Sequence, residues 1–168
     1  DWLTQGPAGL RFEAAMAKTV GCSYALAVNS ATSALHLACL ALNVGEGDIV
    51  WTSPISFVAS SNCALYCGAS VDFVDIDINT YNIDIEKLEE KLKFAEISGA
   101  LPKCVIPVHL SGRSCDMKAI YKLSEKYGFK IIEDASHAVG ASYESSSVGS
   151  CKYSDITVFS FHPVKIIT

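Results

Sequence analysis

A lysine near the end of the chain is the residue whose chemistry is most informative. Lys165 follows Pro163 in an apolar setting. Burial lowers the pKa of a lysine because the charged form is disfavoured away from water, and an unprotonated amine can form an imine with an aldehyde. The alternative is a solvated surface lysine. Apolar neighbours favour the first interpretation, and they are Phe159, Phe161, Val164, Ile166 and Ile167.

An aspartate and two histidines are further candidates. Asp134 directly follows an apolar run, so its carboxylate is predicted to be partly desolvated and to need a cationic or hydrogen-donating partner. A protonated pyridine nitrogen would be such a partner, whereas a helix N-cap or a bond to neighbouring backbone N–H groups is the alternative. His137 and His162 are either site residues or ordinary core or loop histidines. His36 and His109 are given no catalytic role.

A run of hydroxyl residues offers a possible anion site. Residues 29–33 (NSATS) open a predicted helix, where free backbone N–H groups and hydroxyls could bind a phosphate. A plain N-cap by Asn29 or Ser30 is the alternative. The run has no glycine-rich loop, so it is neither a nucleotide P-loop nor a dinucleotide fingerprint. Residues 45–47 (GEG) precede a strand, and Val50 stands where a third glycine would be.

Short apolar runs alternate with helical patterns along the chain. The runs lack strict polar–apolar alternation, which predicts a mostly parallel sheet covered on both faces, in an α/β layer architecture. Strands are predicted at residues 24–28, 48–51, 71–74, 104–108, 130–132 and 156–159. Helices are predicted around residues 35–42, 55–62, 85–92 and 117–124. Residues 142–149 are predicted to form a surface turn or hairpin.

The candidate residues follow different predicted strands. In open α/β sheets, ligands bind beyond the carboxyl ends of the strands. The hydroxyl run follows the first strand, Phe57 lies beyond the second, and Asp134 and His137 follow the fifth. Ser160 and Lys165 follow the sixth. We therefore expect these side chains to converge on one rim of the sheet.

Composition limits the classes of protein that this chain can represent. Half of its 168 residues are hydrophobic and its net charge is -5, which fits a globular α/β protein and gives no basic surface for nucleic acid. No apolar run approaches the ~20 residues that span a bilayer, and no signal peptide is evident. The sequence starts without methionine and ends in apolar residues, so it is expected to be a piece of a longer protein.

The cysteines favour a reducing, cytoplasmic location. There are seven, an odd number scattered through apolar segments, which favours buried free thiols over a disulfide framework. Cys63 and Cys67 lie at helical spacing and could ligate a metal, but no second pair has zinc-like spacing. No metal site is predicted.

Four segments resemble, in order, motifs of the DegT/DnrJ/EryC1/StrS family of sugar aminotransferases. They are residues 3–7 (LTQGP), 29–35 (NSATSAL), 133–138 (EDASHA) and 159–165 (FSFHPVK). The resemblance covers essentially the whole chain. It implies the three-layer αβα large domain of pyridoxal 5′-phosphate (PLP) enzymes of fold type I, spanning residues 1–168 and stopping just after the cofactor-binding lysine. The small C-terminal domain is expected to lie outside this piece, which is expected to be inactive alone.

The resemblance also implies a role for each candidate residue. Lys165 would bind PLP covalently and move a proton between the substrate and cofactor carbons. Asp134 would pair with the pyridinium nitrogen and keep the ring protonated as an electron sink. His137 stands where the family places a polar contact to the cofactor, and Phe57 where an aromatic ring stacks on it. The residues expected to bind the phosphate are Thr32, Ser33 and Ser160.

Residues 30–37, 136–137 and 162–165 resemble most the branch of the family that serves pseudaminic acid biosynthesis. That branch implies transamination of a UDP-linked 4-keto-6-deoxy N-acetyl hexose, with glutamate as amino donor, by a homodimer. The net charge and the lack of a long apolar run predict that neither nucleic acid nor a membrane is a partner. Some family members replace the lysine by histidine and dehydrate sugars, so Lys165 favours transamination. Amination of another nucleotide-linked keto sugar, of the perosamine type, is the alternative.

Three further functions are weighed against sugar transamination. A lyase or desulfurase of the same fold would share the aspartate and lysine but not the sequence motifs at residues 3–7 and 162–165. A non-catalytic relative could bind a nucleotide or sense a ligand. An NAD(P)-binding domain is disfavoured because the glycine fingerprint is missing.

Overall fold

The computed structural model describes residues 6–167, and a five-stranded parallel sheet forms its centre. Its strands are β1 (Ile49–Thr52), β2 (Ser70–Phe73), β3 (Cys104–Ile106), β4 (Lys130–Asp134) and β7 (Ile156–Val158), whereas β5 (Ser142–Tyr143) and β6 (Ser146–Ser147) form a separate two-stranded sheet. The sheet has the order β2-β1-β3-β4-β7, and each neighbouring pair is parallel. The carboxyl ends of its strands therefore lie at one edge, which confirms the predicted α/β architecture.

Two of the five helices in the described residues precede β1, and the other three connect successive strands of the sheet. The helices are α1 (Pro7–Val20), α2 (Ala31–Ala41), α3 (Ala59–Tyr66), α4 (Ile85–Ser98) and α5 (Met117–Tyr127), and a 3-10 turn spans Leu110–Gly112. Local sequence sets their bounds. Helix α4 begins where the Asp84 carboxylate accepts the N–H groups of Glu86 and Lys87, and it ends at Gly99, which has a φ of 71°. None of the helices between residues 6 and 167 has the length and apolar character needed to cross a membrane.

Successive residues of each strand face two separate apolar cores. On β1, Val50 packs with α2 and α3, whereas Trp51 packs with α4 and α5. On β4, Ile132 and Ile131 divide in the same way. Because both faces of the sheet are covered, both sets of residues are apolar, and this explains why the strands lack polar–apolar alternation. The result is a three-layer αβα arrangement.

A third, smaller apolar cluster lies beyond the ends of β4 and β7. Ala135, Ala138 and Val148 form it, and the ring of Phe159 packs against it. Space here is tight: a Cβ atom on Gly149 would lie 2.6 Å from the Phe159 ring, and the backbone φ at Gly149 is +95°. The cluster thereby fixes the chain on both sides of the site, after Asp134 and after β7.

Some predicted elements differ from the structure. The predicted strand 24–28 is wrong, because this segment pairs with no strand in the described residues and Tyr24 is 91 % exposed. Helix α3 begins at Ala59, later than the predicted start near Ile55, and α1 was not predicted. The hairpin predicted within residues 142–149 is confirmed as the antiparallel pair β5–β6. Residues 3–5 of the N-terminal motif lie outside the described residues.

Candidate active site

The carboxyl edge of the sheet borders a cleft of about 1470 Å³. Its walls come from α2 and the segment before it, from the loop after β1, and from the ends of β4 and β7. Six of the seven predicted site residues line it: Thr32, Phe57, Asp134, His137, Ser160 and Lys165. The structure thus brings together residues that are up to 133 positions apart in the sequence, from Thr32 to Lys165.

Ser33 is the predicted site residue that does not line the cleft. Its backbone N–H donates to Ser30 Oγ at 3.1 Å, and the two hydroxyls also lie 3.1 Å apart. Ser30 is therefore the N-cap of α2, as the simpler sequence interpretation proposed. A role for Ser33 in phosphate binding stays a prediction.

Asp134 is buried at the end of β4 and is held by neutral donors. Its Oδ2 accepts a hydrogen bond from Ser60 Oγ at 2.6 Å. Its Oδ1 accepts from Ser136 Oγ at 2.6 Å and from the Ser136 N–H at 3.2 Å. No lysine, arginine or histidine in residues 6–167 forms an ion pair with this carboxylate. A carboxylate that is only 4 % exposed and faces a cleft favours a cationic ligand atom there.

Lys165 and His137 are in direct contact across the cleft wall. The Lys165 Nζ atom lies 2.8 Å from His137 Nε2. On the other side of the ring, His137 Nδ1 accepts the backbone N–H of Ser111 at 3.2 Å. Burial has the largest effect on the pKa of His137 and lowers it from the ordinary value of histidine. The imidazole is therefore neutral at pH 7, beside the amine.

The cleft is also lined by groups that suit an anion. Thr32 lies in the first turn of α2, where backbone N–H groups are free of helical partners and the helix dipole is positive. Ser160 is 7 % exposed and lies on the same cleft, with its Oγ 3.4 Å from the His162 N–H. Phe57 is 67 % exposed, so its ring is available to a ligand.

These groups fit PLP, the cofactor that the sequence resemblance implies. The buried Asp134 carboxylate without a cationic partner matches a protonated ring nitrogen. The Lys165 amine matches an aldehyde carbon, and the start of α2 with Ser160 matches a phosphate. A cofactor with one cationic, one electrophilic and one anionic group would engage each of them.

Two groups that support the site were not predicted. Ser60 donates to Asp134, and its Oγ lies 2.6 Å from Ser56 Oγ, so Ser56 is the donor in that pair. The helical spacing of Ser56 and Ser60, just after a strand end, was a usable signal. The Ser111 N–H that contacts His137 is a backbone group, and side-chain types carry no direct signal for it.

The cysteines show no metal site. All seven are free thiols, and burial raises the pKa of the Cys115 and Cys104 thiols. No three His, Cys, Asp or Glu side chains are grouped as metal ligands within residues 6–167. Cys63 lies in the apolar core between α2 and α3, as a small hydrophobic residue does.

Known proteins share both the sequence and the fold. The chain is 48% identical over 167 residues to the UDP-4-amino-4,6-dideoxy-N-acetyl-beta-L-altrosamine transaminase of Campylobacter jejuni, covering 99% of the chain and 42% of that protein. It matches Helicobacter pylori PseC, an aminotransferase involved in the biosynthesis of pseudoaminic acid, with a TM-score of 0.85, 36% identity, and coverage of 98% of this chain and 43% of that one.

The PLP form of Spr1654 from Streptococcus pneumoniae matches with a TM-score of 0.86 and 29% identity, over 99% of this chain and 44% of that one. The chain spans between 40% and 42% of the length of the first three curated relatives it matches. The family described as the DegT/DnrJ/EryC1/StrS aminotransferase family matches residues 1–168. The chain therefore belongs to the DegT/DnrJ/EryC1/StrS aminotransferase family.

Proposed function

We propose that the full-length protein is a PLP-dependent aminotransferase and that residues 1–168 are its cofactor-binding large domain. One observation carries this proposal: the Lys165 amine contacts His137 on the same cleft onto which the buried, cation-free Asp134 carboxylate opens. The family and the PLP form of a related structure support the same cofactor.

The proposed work of each residue follows from its position. Bound PLP supplies an electron sink for the carbon that gains or loses the amino group. Asp134 would hold the ring nitrogen protonated, while Ser60 and Ser136 hold its carboxylate in place. Lys165 would anchor the cofactor and would then act as a general base that moves a proton. The first turn of α2, Thr32 and Ser160 would bind the phosphate, and Phe57 would pack on the ring.

The substrate is proposed from the relatives. A UDP-linked 4-keto-6-deoxy N-acetyl hexose with glutamate as amino donor is the first candidate, because the transaminase of Campylobacter jejuni is 48% identical. Another nucleotide-linked keto sugar, of the perosamine type, is the second candidate. We also propose that the full-length protein is located in the cytoplasm and is a homodimer. Light scattering of the full-length protein tests the homodimer.

The cofactor proposal is tested by absorption spectroscopy of the full-length protein. Bound PLP should give a visible band that glutamate bleaches. Lys165→Ala should remove the band that arises from the covalent bond, whereas Lys122→Ala, on the exposed side of α5, should leave it unchanged. A band that responds to cysteine would indicate a desulfurase, and a band that responds to no amino acid would indicate a ligand sensor. Either result would overturn the transaminase proposal.

The sugar is tested separately. The enzyme is first treated with glutamate until the visible band is bleached. It is then mixed with a UDP-linked 4-keto-6-deoxy N-acetyl hexose, and the amino sugar is detected by mass spectrometry. Return of the visible band together with a new amino sugar would support the first candidate. Return of the band only with a GDP-linked keto sugar would support the perosamine type.

A further inference from the structure

A histidine–carboxylate pair lies behind the site, in the interior of the protein. His109 and Glu133 are 0 % and 4 % exposed, and His109 Nε2 lies 2.7 Å from Glu133 Oε2. Glu133 is further held by Thr157 Oγ1 at 2.9 Å and by Ser154 Oγ at 2.5 Å. Burying such a pair is costly, and apolar residues would often fill the space equally well. The proposed reaction uses neither residue directly.

The pair anchors the loop that contacts His137. The Cys115 N–H donates to His109 Nδ1 at 3.2 Å, so the His109 proton is on Nε2 and points to Glu133. His109 and Cys115 are the two ends of the loop 109–115. Asn82 also holds this loop: its Oδ1 accepts the Leu110 N–H, and its Nδ2 donates to the Arg113 carbonyl. Both ends are thereby fixed to the sheet.

The middle of the loop is pressed against His137. Ser111 has a left-handed backbone with a φ of 54°, which a non-glycine residue adopts at a cost of about 1–2 kcal/mol. A Cβ atom on Gly112 would lie 2.8 Å from the His137 carbonyl oxygen, so glycine alone allows this approach. The anchored loop holds both residues in place, and the Ser111 N–H then points at His137 Nδ1.

That single N–H decides which nitrogen of His137 carries the proton. A backbone N–H can only donate, so His137 Nδ1 must present its lone pair, and the neutral ring carries its proton on Nε2. Nε2 lies 2.8 Å from Lys165 Nζ, so this N–H donates to the lone pair of the amine. A protonated lysine has no lone pair to accept it. An Nε2–H that faces Lys165 therefore needs a lone pair on the amine, which imine formation needs as well.

We propose that His109 and Glu133 are positioning residues: they anchor the loop 109–115, whose Ser111 N–H holds His137 in the Nε2–H tautomer against Lys165. The inference rests on the proposed function of Lys165. Neither residue touches the cleft, and each acts through the loop and His137. Without this anchor, His137 could rotate or carry its proton on Nδ1, and it would then accept a hydrogen bond from a lysine ammonium instead.

The test uses ¹⁵N NMR of histidine side chains in the full-length protein with the cofactor removed, where the two tautomers have distinct nitrogen shifts. In the wild type, His137 should show the Nε2–H pattern. In His109→Gln, some or all of the His137 side chains should show the Nδ1–H pattern, in which the chemical shifts of the two ring nitrogens are interchanged. Ser154→Ala is the matched control, because it removes a hydrogen bond from Glu133 but leaves His109 and the loop, and it should keep the wild-type pattern.

A second variant covers the case in which His109→Gln fails to fold. Gly112→Ala pushes the loop away from His137 while the His109–Glu133 pair stays intact, and it should give the same exchange of shifts. In the holoenzyme, both variants should lower kcat roughly tenfold or more, with the KM for the amino donor unchanged. If the His137 pattern stays wild-type in a folded His109→Gln or Gly112→Ala variant, the inference is overturned. Because the tautomer is measured without cofactor, this failure is distinct from a failure of the proposed aminotransferase activity.

Discussion

Glu133 and Asp134 are consecutive residues of β4, both nearly fully buried, yet their surroundings differ in kind. Glu133 is surrounded by fixed partners on the α5 side of the sheet: one imidazole and two hydroxyls. Asp134 faces the cleft and has hydroxyl and amide donors but no cation among the described residues. Successive residues of a strand face opposite sides of the sheet. The carboxylate of Glu133 is therefore fully hydrogen-bonded within the protein, whereas that of Asp134, the next residue, can contact a ligand.

The comparison predicts that replacing Asp134 lowers the reaction rate and that replacing Glu133 lowers stability. The largest effect is expected for Asp134. Asp134→Asn keeps the shape, and its amide oxygen can still accept the Ser136 donors, but its amide nitrogen can only donate towards Ser60 Oγ and it cannot stabilise a protonated ring nitrogen. We expect the transamination rate of the full-length enzyme to fall roughly 10²–10³-fold, with little change in the melting temperature. Steady-state kinetics and thermal unfolding measure the two quantities. An Asp134→Asn enzyme with the wild-type rate would show that the open carboxylate has no chemical role.

Glu133 should affect stability and its pH dependence. Burial alone raises the pKa of Glu133, but the hydrogen bonds of His109, Ser154 and Thr157 outweigh it, so the pKa lies below its ordinary value. A carboxyl whose pKa is lower in the folded state stabilises the fold above the unfolded pKa, and this stabilisation is lost as the pH falls through the folded pKa. At pH 7, Glu133→Gln should therefore lower the free energy of unfolding by about 1–3 kcal/mol.

Urea unfolding of the full-length protein at several pH values measures this effect. The difference in stability between wild type and Glu133→Gln should shrink below a pH of about 4, near the ordinary pKa of glutamate. Glu46→Gln, which changes an exposed carboxylate, is the control and should be neutral at each pH. A difference that is independent of pH would mean that lost packing, and not the charge of Glu133, is responsible.

The smallest expected effect tests how the open carboxylate is held. Ser60→Ala removes one hydrogen-bond donor from Asp134. Because that hydrogen bond orients the carboxylate and contributes about 1 kcal/mol, its loss should lower kcat about fivefold. Ser61→Ala is the matched control, because the neighbouring hydroxyl donates only to the Val58 carbonyl on the surface of α3. Equal rates for the two variants would mean that Ser136 alone is sufficient to position Asp134.

The sequence was a good guide to the residues at the carboxyl ends of the central strands. Asp134 is the last residue of β4 and Lys165 lies beyond the end of β7, and the parallel order of the sheet brings both to one edge. The same pattern failed at residues 24–28, because an apolar run shows that a strand could form but not which strand would pair with it. Glu133 and the Ser111 N–H were missed for a related reason: their importance lies in partners more than twenty residues away.

The tight contacts at two glycines limit how this protein can vary. A side chain at Gly112 would collide with the His137 backbone, and one at Gly149 with the Phe159 ring, while both backbones are left-handed. Gly128 is also left-handed, but nothing lies within 4 Å of its added Cβ. In a library of functional variants, asparagine should therefore be recovered at position 128, because it tolerates this backbone. Positions 112 and 149 should remain glycine, because no other side chain fits at these two places beside the site.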